Sequence, residues 1–207
     1  MKASIAIVLF VTMALLCAGQ DEIARPEYHV TTSASWSDFE EVHNLNLHVS
    51  FGIRKRKHEW EFGPTFLMFP NYRRNNSESM KLTGMHCTYR LIPNPKGKVF
   101  DFYLQSNFSI QRIVDEWSAS IWDFEQELYV YEDLRDIETL MQISVGYGLR
   151  VNAFDQRVFI FHNVNYGAHY SDLEDPYEER LEVEYDFRGY SDFGTNWLVT
   201  VGLGYKF

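Results

Sequence analysis

Six charged residues stand at alternating positions of predicted β-strands, so that their side chains share a face with small and polar residues. Three are acids and three are bases, and each lies near a tight turn or the C-terminus. Because an unpaired charge in a narrow interior is costly, this composition predicts an ion-paired plug, with a gated ion path as the alternative. The six residues are Glu59, Glu61, Arg90, Asp101, Arg150 and Lys206.

A second candidate site is the H-x-S pattern of His48 and Ser50. Folding the chain back through the turn at residues 54–57 places Ser50 opposite Glu61, which would complete a nucleophilic triad. The pattern is similar to that of outer-membrane lipid A deacylases, and the resemblance implies a lipid hydrolase. These side chains, however, share the interior face. Ser50 is also only about 13 Å along the strand from a short turn, and therefore far from an outer-leaflet substrate. We therefore expect no enzymatic activity and a hydrogen-bonded interior network at these residues.

Two long connections, residues 111–138 and 169–196, are strongly acidic and together hold 18 of the 29 acids. Carboxylates suit hard cations such as Ca²⁺ and Mg²⁺, although no EF-hand spacing is present. A possible cation site therefore comprises five acids: Glu132, Asp133, Asp172, Glu174 and Asp175. The alternative is a solvated acidic surface.

Aromatic residues lie among these acids, at Trp117, Trp122, Tyr129 and Tyr131. They indicate either contact with an extracellular protein or glycan, or packing of the connections against each other. The net charge of -10 argues against nucleic-acid binding. No cofactor is expected.

The elements that carry these residues are short segments of alternating polarity, typical of strands with one apolar face. The predicted strands cover residues 28–36, 44–53, 59–68, 80–92, 100–110, 141–151, 158–167 and 197–207. Pro64 predicts a bulge in the third strand, and Thr83, Met85, Cys87, Tyr89 and Leu91 form the predicted outer face of the fourth. Leu181 to Tyr190 also alternates, but eight strands are favoured because they make short and long connections alternate.

Both ends of the chain indicate secretion. Residues 1–19 combine Lys2, an apolar run from Ala3 to Leu16 and small residues before Gln20, which predicts a signal peptide. Its removal leaves Cys87 as the only cysteine, so no internal disulfide is expected. The last strand, Trp197 to Phe207, resembles the closing strand of outer-membrane β-barrels, and the resemblance makes Tyr205 and Phe207 the assembly signal read by the barrel-assembly machinery.

Residues 20–207 thus resemble the small outer-membrane β-barrels of the OmpA and OmpX type and the PorT-like family. The resemblance implies an all-β, eight-stranded antiparallel up-and-down transmembrane barrel in a Gram-negative outer membrane, in contact with lipids and lipopolysaccharide. We expect a monomeric, non-enzymatic envelope structural or surface-loop binding protein with a side-chain-filled interior. A narrow channel and a soluble lipocalin-like binding protein are the alternatives, although the G-x-W of lipocalins is absent.

Overall fold

The computed structural model describes residues 25–39, 42–69, 81–93, 99–123, 128–174 and 191–207. These residues form eight strands: β1 (Glu27–Phe39), β2 (Val42–Lys55), β3 (His58–Phe69), β4 (Lys81–Leu91), β5 (Phe100–Asp123), β6 (Leu128–Ala153), β7 (Val158–Glu174) and β8 (Ser191–Lys206). Within the described ranges, no helix is long and apolar enough to span a bilayer.

Each strand pairs antiparallel with its neighbours in the sequence, and β1 pairs with β8, so that the sheet closes into a barrel. Closure leaves neither a first nor a last unpaired edge in the barrel wall. The chain ends are tied together at this seam, where the Phe207 amide donates to the Tyr28 carbonyl at 3.1 Å. The predicted fold class, an eight-stranded antiparallel up-and-down barrel, is confirmed.

The predicted alternation becomes an inside and an outside. On β8, Trp197, Val201, Leu203, Tyr205 and Phe207 are exposed on the outer surface, whereas the intervening inward positions are buried apart from a half-buried Lys206. The interior of the barrel, which we call the lumen, is built mainly from histidines, hydroxyls, amides and ion pairs. The polarity is therefore opposite to that of a barrel with an apolar core.

Strand β4 departs from the predicted faces at one residue. Thr65 of β3 pairs with Gly84, but Phe66 pairs with Leu82, so Thr83 is an extra residue in a β-bulge. Thr83 is consequently buried in the lumen, where its hydroxyl donates to Gln111 Oε1 at 3.1 Å. The assignment of Thr83 to the outer face was wrong. The bulge predicted at Pro64 is also misplaced, because Pro64 pairs in regular register with Met85, and the extra residue of β3 is Met68, where its pairing with β2 shifts.

The predicted connection at residues 111–138 is not a loop. β5 and β6 continue past the barrel wall as a paired hairpin up to Asp123 and Leu128. The pairing of β6 with β7 ends at Ile137 and Glu174, so residues 115–123 and 128–136 have only each other as neighbours. We call this two-stranded extension the ribbon; its arms of nine residues reach about 30 Å.

The other long connection is also shorter than predicted. β7 runs on to Glu174 and β8 begins at Ser191, so much of residues 169–196 belongs to the wall. The alternating segment from Leu181 to Tyr190 lies outside the described residues. At the opposite end of the barrel the strands are joined by residues 56–57, 92–99 and 154–157, and we call this the short-turn end; β1 and β2, whose predicted connection was 37–41, are separated by only two residues at the other end.

Candidate functional site

The lumen near the short-turn end is filled by an ion-paired cluster that we call the basal plug: His29, Glu59, Glu61, Arg90 and Arg150. All five side chains are buried, with Glu59 and Arg150 at 0% exposure. They come from β1, β3, β4 and β6, so the cluster ties together strands from all around the wall.

Glu59 stands at the centre of the basal plug. Its two oxygens accept hydrogen bonds from Arg150, of which Arg150 Nη1 to Glu59 Oε2 measures 2.7 Å. Arg90 Nη1 donates to Glu59 Oε1 at 2.8 Å and also to Glu61. Each guanidinium therefore meets a carboxylate, which offsets the cost of burying both charges.

The plug also has a member that the strand pattern did not single out. His29 Nε2 donates to Glu61 Oε1 at 2.9 Å and lies 3.9 Å from Glu59. His29 is an inward residue of β1, which is adjacent to β3 only through β2. Its contact with Glu61 is possible because Gly52 of β2, directly opposite His29, has no side chain.

Aromatic rings pack against the two arginines. Arg150 Cζ lies 4.2 Å from the ring centroid of Phe159, and Arg90 Cζ lies 4.8 Å from that of Phe161. Tyr103 contacts both guanidinium groups at 5.3 and 5.8 Å. These faces contribute cation–π attraction and fill the space around the charges.

Asp101 and Lys206, which were predicted in the same network, lie instead in a separate cluster nearer the rim. Asp101 pairs across the strands with Arg150, but Arg150 turns to Glu59 and Asp101 accepts from Arg54 Nη1 at 3.4 Å. Asn152 bridges the two residues, since its Nδ2 donates to Asp101 at 3.2 Å and its Oδ1 accepts from Lys206 at 3.1 Å.

His29, Glu59 and Glu61 each place a possible ligand atom within 4.8 Å of the others, which is a spacing that metal sites also use. Their oxygens, however, already accept hydrogen bonds from Arg90 and Arg150. A metal ion here would face two permanent cations at contact distance. The arrangement therefore fits an ion-paired plug and does not fit a metal centre.

Above the plug lies a second cluster, which we call the histidine layer: Ser35, His48, Ser50, Thr65 and His86. His48 Nδ1 and His86 Nδ1 are 3.2 Å apart, and Thr65 Oγ1 is 3.1 and 3.2 Å from them, respectively. The other nitrogen of each ring contacts a serine, with His48 Nε2 2.6 Å from Ser35 Oγ and His86 Nε2 2.8 Å from Ser50 Oγ.

The predicted triad is not assembled. Gly52, not Ser50, pairs with Glu61, because the turn is centred one residue later than predicted and the register shifts by two. Ser50 contacts His86 rather than His48, and Glu61 is held by His29 and Arg90. The prediction that Ser50 faces Glu61 was wrong; His86 is the partner that the motif did not identify.

Between the basal plug and the histidine layer is a cavity of ≈ 20 Å³, room for about one water molecule. Its lining includes His48, His86, Glu61, Arg90 and Thr200. The cavity is therefore polar on both its upper and lower sides.

Inward glycines accommodate bulky residues of the facing strand. A side chain on any of five glycines would overlap an aromatic or imidazole ring, and that ring belongs to the residue directly opposite in the register. The pairs are Gly52 with His29, Gly148 with Tyr103, Gly194 with His169, Gly202 with Phe161 and Gly204 with Phe159. Gly148, Gly202 and Gly204 thus make room for the rings of the neighbouring strands.

The acids of the possible cation site do not come together in the described backbone. Glu132 and Asp133 lie in the ribbon on β6, whereas Asp172 is an exposed residue of β7 that pairs with Thr139. Because Glu174 pairs with Ile137, Asp133 lies four residues beyond it, about 13 Å along β6. Asp175 lies outside the described residues.

Tyr205 and Phe207 lie on the outer surface at the short-turn end, beside the β1–β8 seam. Their ring centroids are 6.2 Å apart, and Phe207 is 67% exposed. Both rings are therefore accessible from outside the barrel.

No family model matches the chain, and no curated protein has significant sequence similarity to it. Solved structures with a similar shape include the N-terminal β-barrel domain of Pseudomonas aeruginosa OprF, at 12% identity and a TM-score of 0.46 over 88% of this chain and all of that one. Neisserial surface protein A is similar at 12% identity and a TM-score of 0.41, over 90% of this chain and all of that one. A major outer membrane protein of Thermus thermophilus is similar at 11% identity and a TM-score of 0.39, over 89% of this chain and all of that one.

Proposed function

We propose that the protein is a non-enzymatic barrel of a Gram-negative outer membrane, closed by its own side chains, that acts as an envelope structural or surface-binding protein. The observation that carries this proposal is the inverted polarity of the wall. Large apolar side chains such as Phe102, Val145 and Tyr147 are more than 60% exposed outside, while the ion pairs are buried inside. In water such an apolar exterior would be unfavourable, and in a bilayer it is what stabilises the barrel.

The dimensions of the apolar surface agree with a membrane. On β8 the outward positions from Trp197 to Phe207 are all apolar and span ten residues. At a strand tilt of roughly 40° this covers about 25 Å, the height of the apolar band in outer-membrane barrels. Aromatic rings lie at both ends of the band, with Tyr166 and Trp197 at one end and Tyr205 and Phe207 at the other.

Fractionation tests this placement. We expect a heat-modifiable band in the outer-membrane fraction, because a folded barrel migrates differently from its unfolded chain. Recovery of the protein as a soluble periplasmic monomer would show that it is not a membrane barrel and would favour the lipocalin-like alternative. The polar lumen already argues against that alternative, which needs apolar side chains facing inward.

The basal plug favours a closed lumen over a channel. An eight-stranded barrel has an interior about wide enough for side chains, and Arg90, Arg150, Tyr103, Phe159 and Phe161 are all at most 3% exposed. We expect little or no steady conductance from refolded protein in planar bilayers. A combined Arg90→Ala and Arg150→Ala variant should increase conductance, and a large stable conductance of the unmutated protein would favour the channel.

Assembly is proposed to depend on the C-terminal aromatic residue. Phe207 ends the closing strand and is exposed, as a signal read by the barrel-assembly machinery must be. Deleting Phe207 should therefore lower the outer-membrane yield and lead to periplasmic degradation. Replacing residues 1–19 with a different signal peptide is the control, since it leaves the strand unchanged.

The binding role is assigned to the end away from the short turns. The ribbon projects there, and its Tyr131 is 80% exposed, so a protein or glycan at the cell surface would meet it first. Membership of the PorT-like family and contact with lipopolysaccharide belong to the same proposal. A pull-down from solubilised outer membranes, with a ribbon-shortened variant as control, tests for a partner.

A further inference from the structure

The histidine layer has the ligand spacing of a transition-metal site. His48 Nδ1, His86 Nδ1 and Thr65 Oγ1 form a nearly equilateral triangle with sides of 3.1, 3.2 and 3.2 Å. Ligands bound tetrahedrally at 2.0–2.1 Å are about 3.3–3.4 Å apart. The three atoms thus already lie close to the positions of three corners of such a tetrahedron.

The far side of each imidazole is fixed as it is in metal-binding histidines. Ser35 Oγ lies 2.6 Å from His48 Nε2, and Ser50 Oγ lies 2.8 Å from His86 Nε2. A histidine that binds a metal typically donates its other N–H to an oxygen acceptor, which fixes the tautomer and the ring orientation. With both Nε2–H groups donating to serine, both Nδ1 lone pairs face the triangle.

In that tautomer the triangle has more acceptors than donors. The two Nδ1 lone pairs share the single hydroxyl proton of Thr65, which can satisfy one of them at a time. All three side chains are buried, Thr65 at 0% and the two histidines at 6–7% exposure. A metal ion would bind both nitrogens at once, whereas the hydroxyl proton can bond to only one of them.

The surroundings allow a complete coordination shell. The cavity of ≈ 20 Å³ is lined by both histidines and has room for about one water as the fourth ligand. Glu61 and Arg90 also line it, so the guanidinium charge is offset by a carboxylate. Neutral imidazoles suit zinc, copper and nickel, whereas calcium and magnesium prefer oxygen ligands.

We propose that the histidine layer binds one transition-metal ion of the Zn²⁺, Cu²⁺ or Ni²⁺ class through His48 Nδ1, His86 Nδ1 and Thr65 Oγ1. The site is distinct from the basal plug and from the acidic connections. It adds a ligand to the proposed closed barrel without being needed for closure. Failure to bind metal would therefore leave the closed-barrel proposal intact.

The test is calorimetric titration of Zn²⁺ into the chelator-treated full barrel in detergent. We expect one Zn²⁺ per barrel, and binding weakened at least about tenfold by His48→Gln and by His86→Gln. His162→Gln is the matched control, since His162 is exposed on the outer surface and should leave the affinity unchanged. The proposal would be overturned by the absence of one-to-one binding, by both lumen variants binding Zn²⁺ as tightly as the unmutated barrel, or by displacement of Zn²⁺ by an equal concentration of Ca²⁺.

Heat-modifiable migration shows whether each variant has folded. If neither lumen variant folds, Co²⁺ bound to the unmutated barrel gives the answer, because a four-coordinate Co²⁺ absorbs visible light far more strongly than a six-coordinate one. The strong absorption supports the site, and its absence overturns it.

Discussion

The base of the barrel and the ribbon are built from the same two strands, β5 and β6, yet they differ in what surrounds them. In the barrel wall, residues 104–111 of β5 pair with both β4 and β6, and Arg150 of β6 pairs with both β5 and β7 beside a filled lumen. In the ribbon, the described backbone of residues 115–123 pairs only with that of residues 128–136. Both regions share strand pairing, and the base adds hydrogen bonds between side chains on strands that are not adjacent, such as Arg150 with Glu59.

The largest expected effect comes from breaking the basal plug. Glu59→Gln removes the carboxylate that accepts from both Arg90 and Arg150, leaving two buried cations with Glu61 alone. Removing one partner of a buried ion pair typically costs about 3–5 kcal/mol. The urea midpoint of the heat-modifiable band should fall accordingly, while Asp172→Asn, an exposed control, should leave it unchanged. A midpoint equal to that of the control would contradict the plug.

The next largest loss of stability is expected when an arginine is introduced on either face of β6, and its cause should differ between the two faces. Val145 is exposed at mid-strand, so Val145→Arg should cost about 2–4 kcal/mol in a bilayer. Ser144→Arg points into the lumen and should act by crowding instead, with a loss that persists in detergent. Comparison of unfolding in vesicles and in detergent distinguishes them, and identical behaviour of both variants would mean that the faces are misassigned.

Tyr131→Arg on the ribbon extends this comparison along the same strand. Tyr131 is 80% exposed beyond the barrel wall, so the same introduced charge should change the free energy of unfolding by no more than about 0.5 kcal/mol. A loss similar to that of Val145→Arg would place this part of β6 in the membrane.

Overpacking of a glycine position should lower the stability of the barrel less than loss of the basal plug does. Gly204→Ala introduces a methyl group where the Phe159 ring lies, and forcing extra volume into a packed site costs about 1–3 kcal/mol. Combining it with Phe159→Leu should recover part of the loss, so the double variant should be more stable than the sum of the two changes predicts. Strict additivity would show that the two residues do not share the space.

The smallest effect is expected from shortening the ribbon. Joining Asp115 to Asp136, which are direct partners in the register, through an Asn-Gly turn removes the extension without changing the wall. The urea midpoint should stay the same, because the barrel's packed interior is untouched. A clear fall in the midpoint would show that the ribbon supports the barrel.

Strand existence and the direction of side chains could be predicted because alternation depends on neighbours two residues apart. Partners across the lumen could not, since they depend on where the barrel closes. Arg150 lies opposite Asp101 in the register but pairs with Glu59 across the lumen. The Ser50 error arose from a turn displaced by one residue, which changes the cross-strand partner but not the face, whereas the Thr83 error arose from a bulge, which reverses the face of one residue.

The ribbon was mistaken for a loop because its acids and aromatic residues resemble a solvated connection, whereas backbone pairing holds it together. The signal peptide, the acidic cation site and the roles of Tyr205 and Phe207 stay predictions. Residues 1–24 lie outside the described part of the chain.

The glycine–ring pairs have a consequence for how the barrel finds its alignment. β7 and β8 match Phe159 with Gly204 and Phe161 with Gly202, so each of these large rings on β7 lies opposite a glycine on β8. If β8 shifted by two residues against β7, every side chain would still lie on its proper face, and the polarity of the two faces would be unchanged. Such a shift would, however, set Phe161 against Thr200 or Phe159 against Lys206, with no room for the ring. The matching of each ring to a glycine thus disfavours a shifted register that the polarity of the side chains alone would allow. The correct alignment of β7 and β8 is therefore set by side-chain size as well as by hydrophobicity.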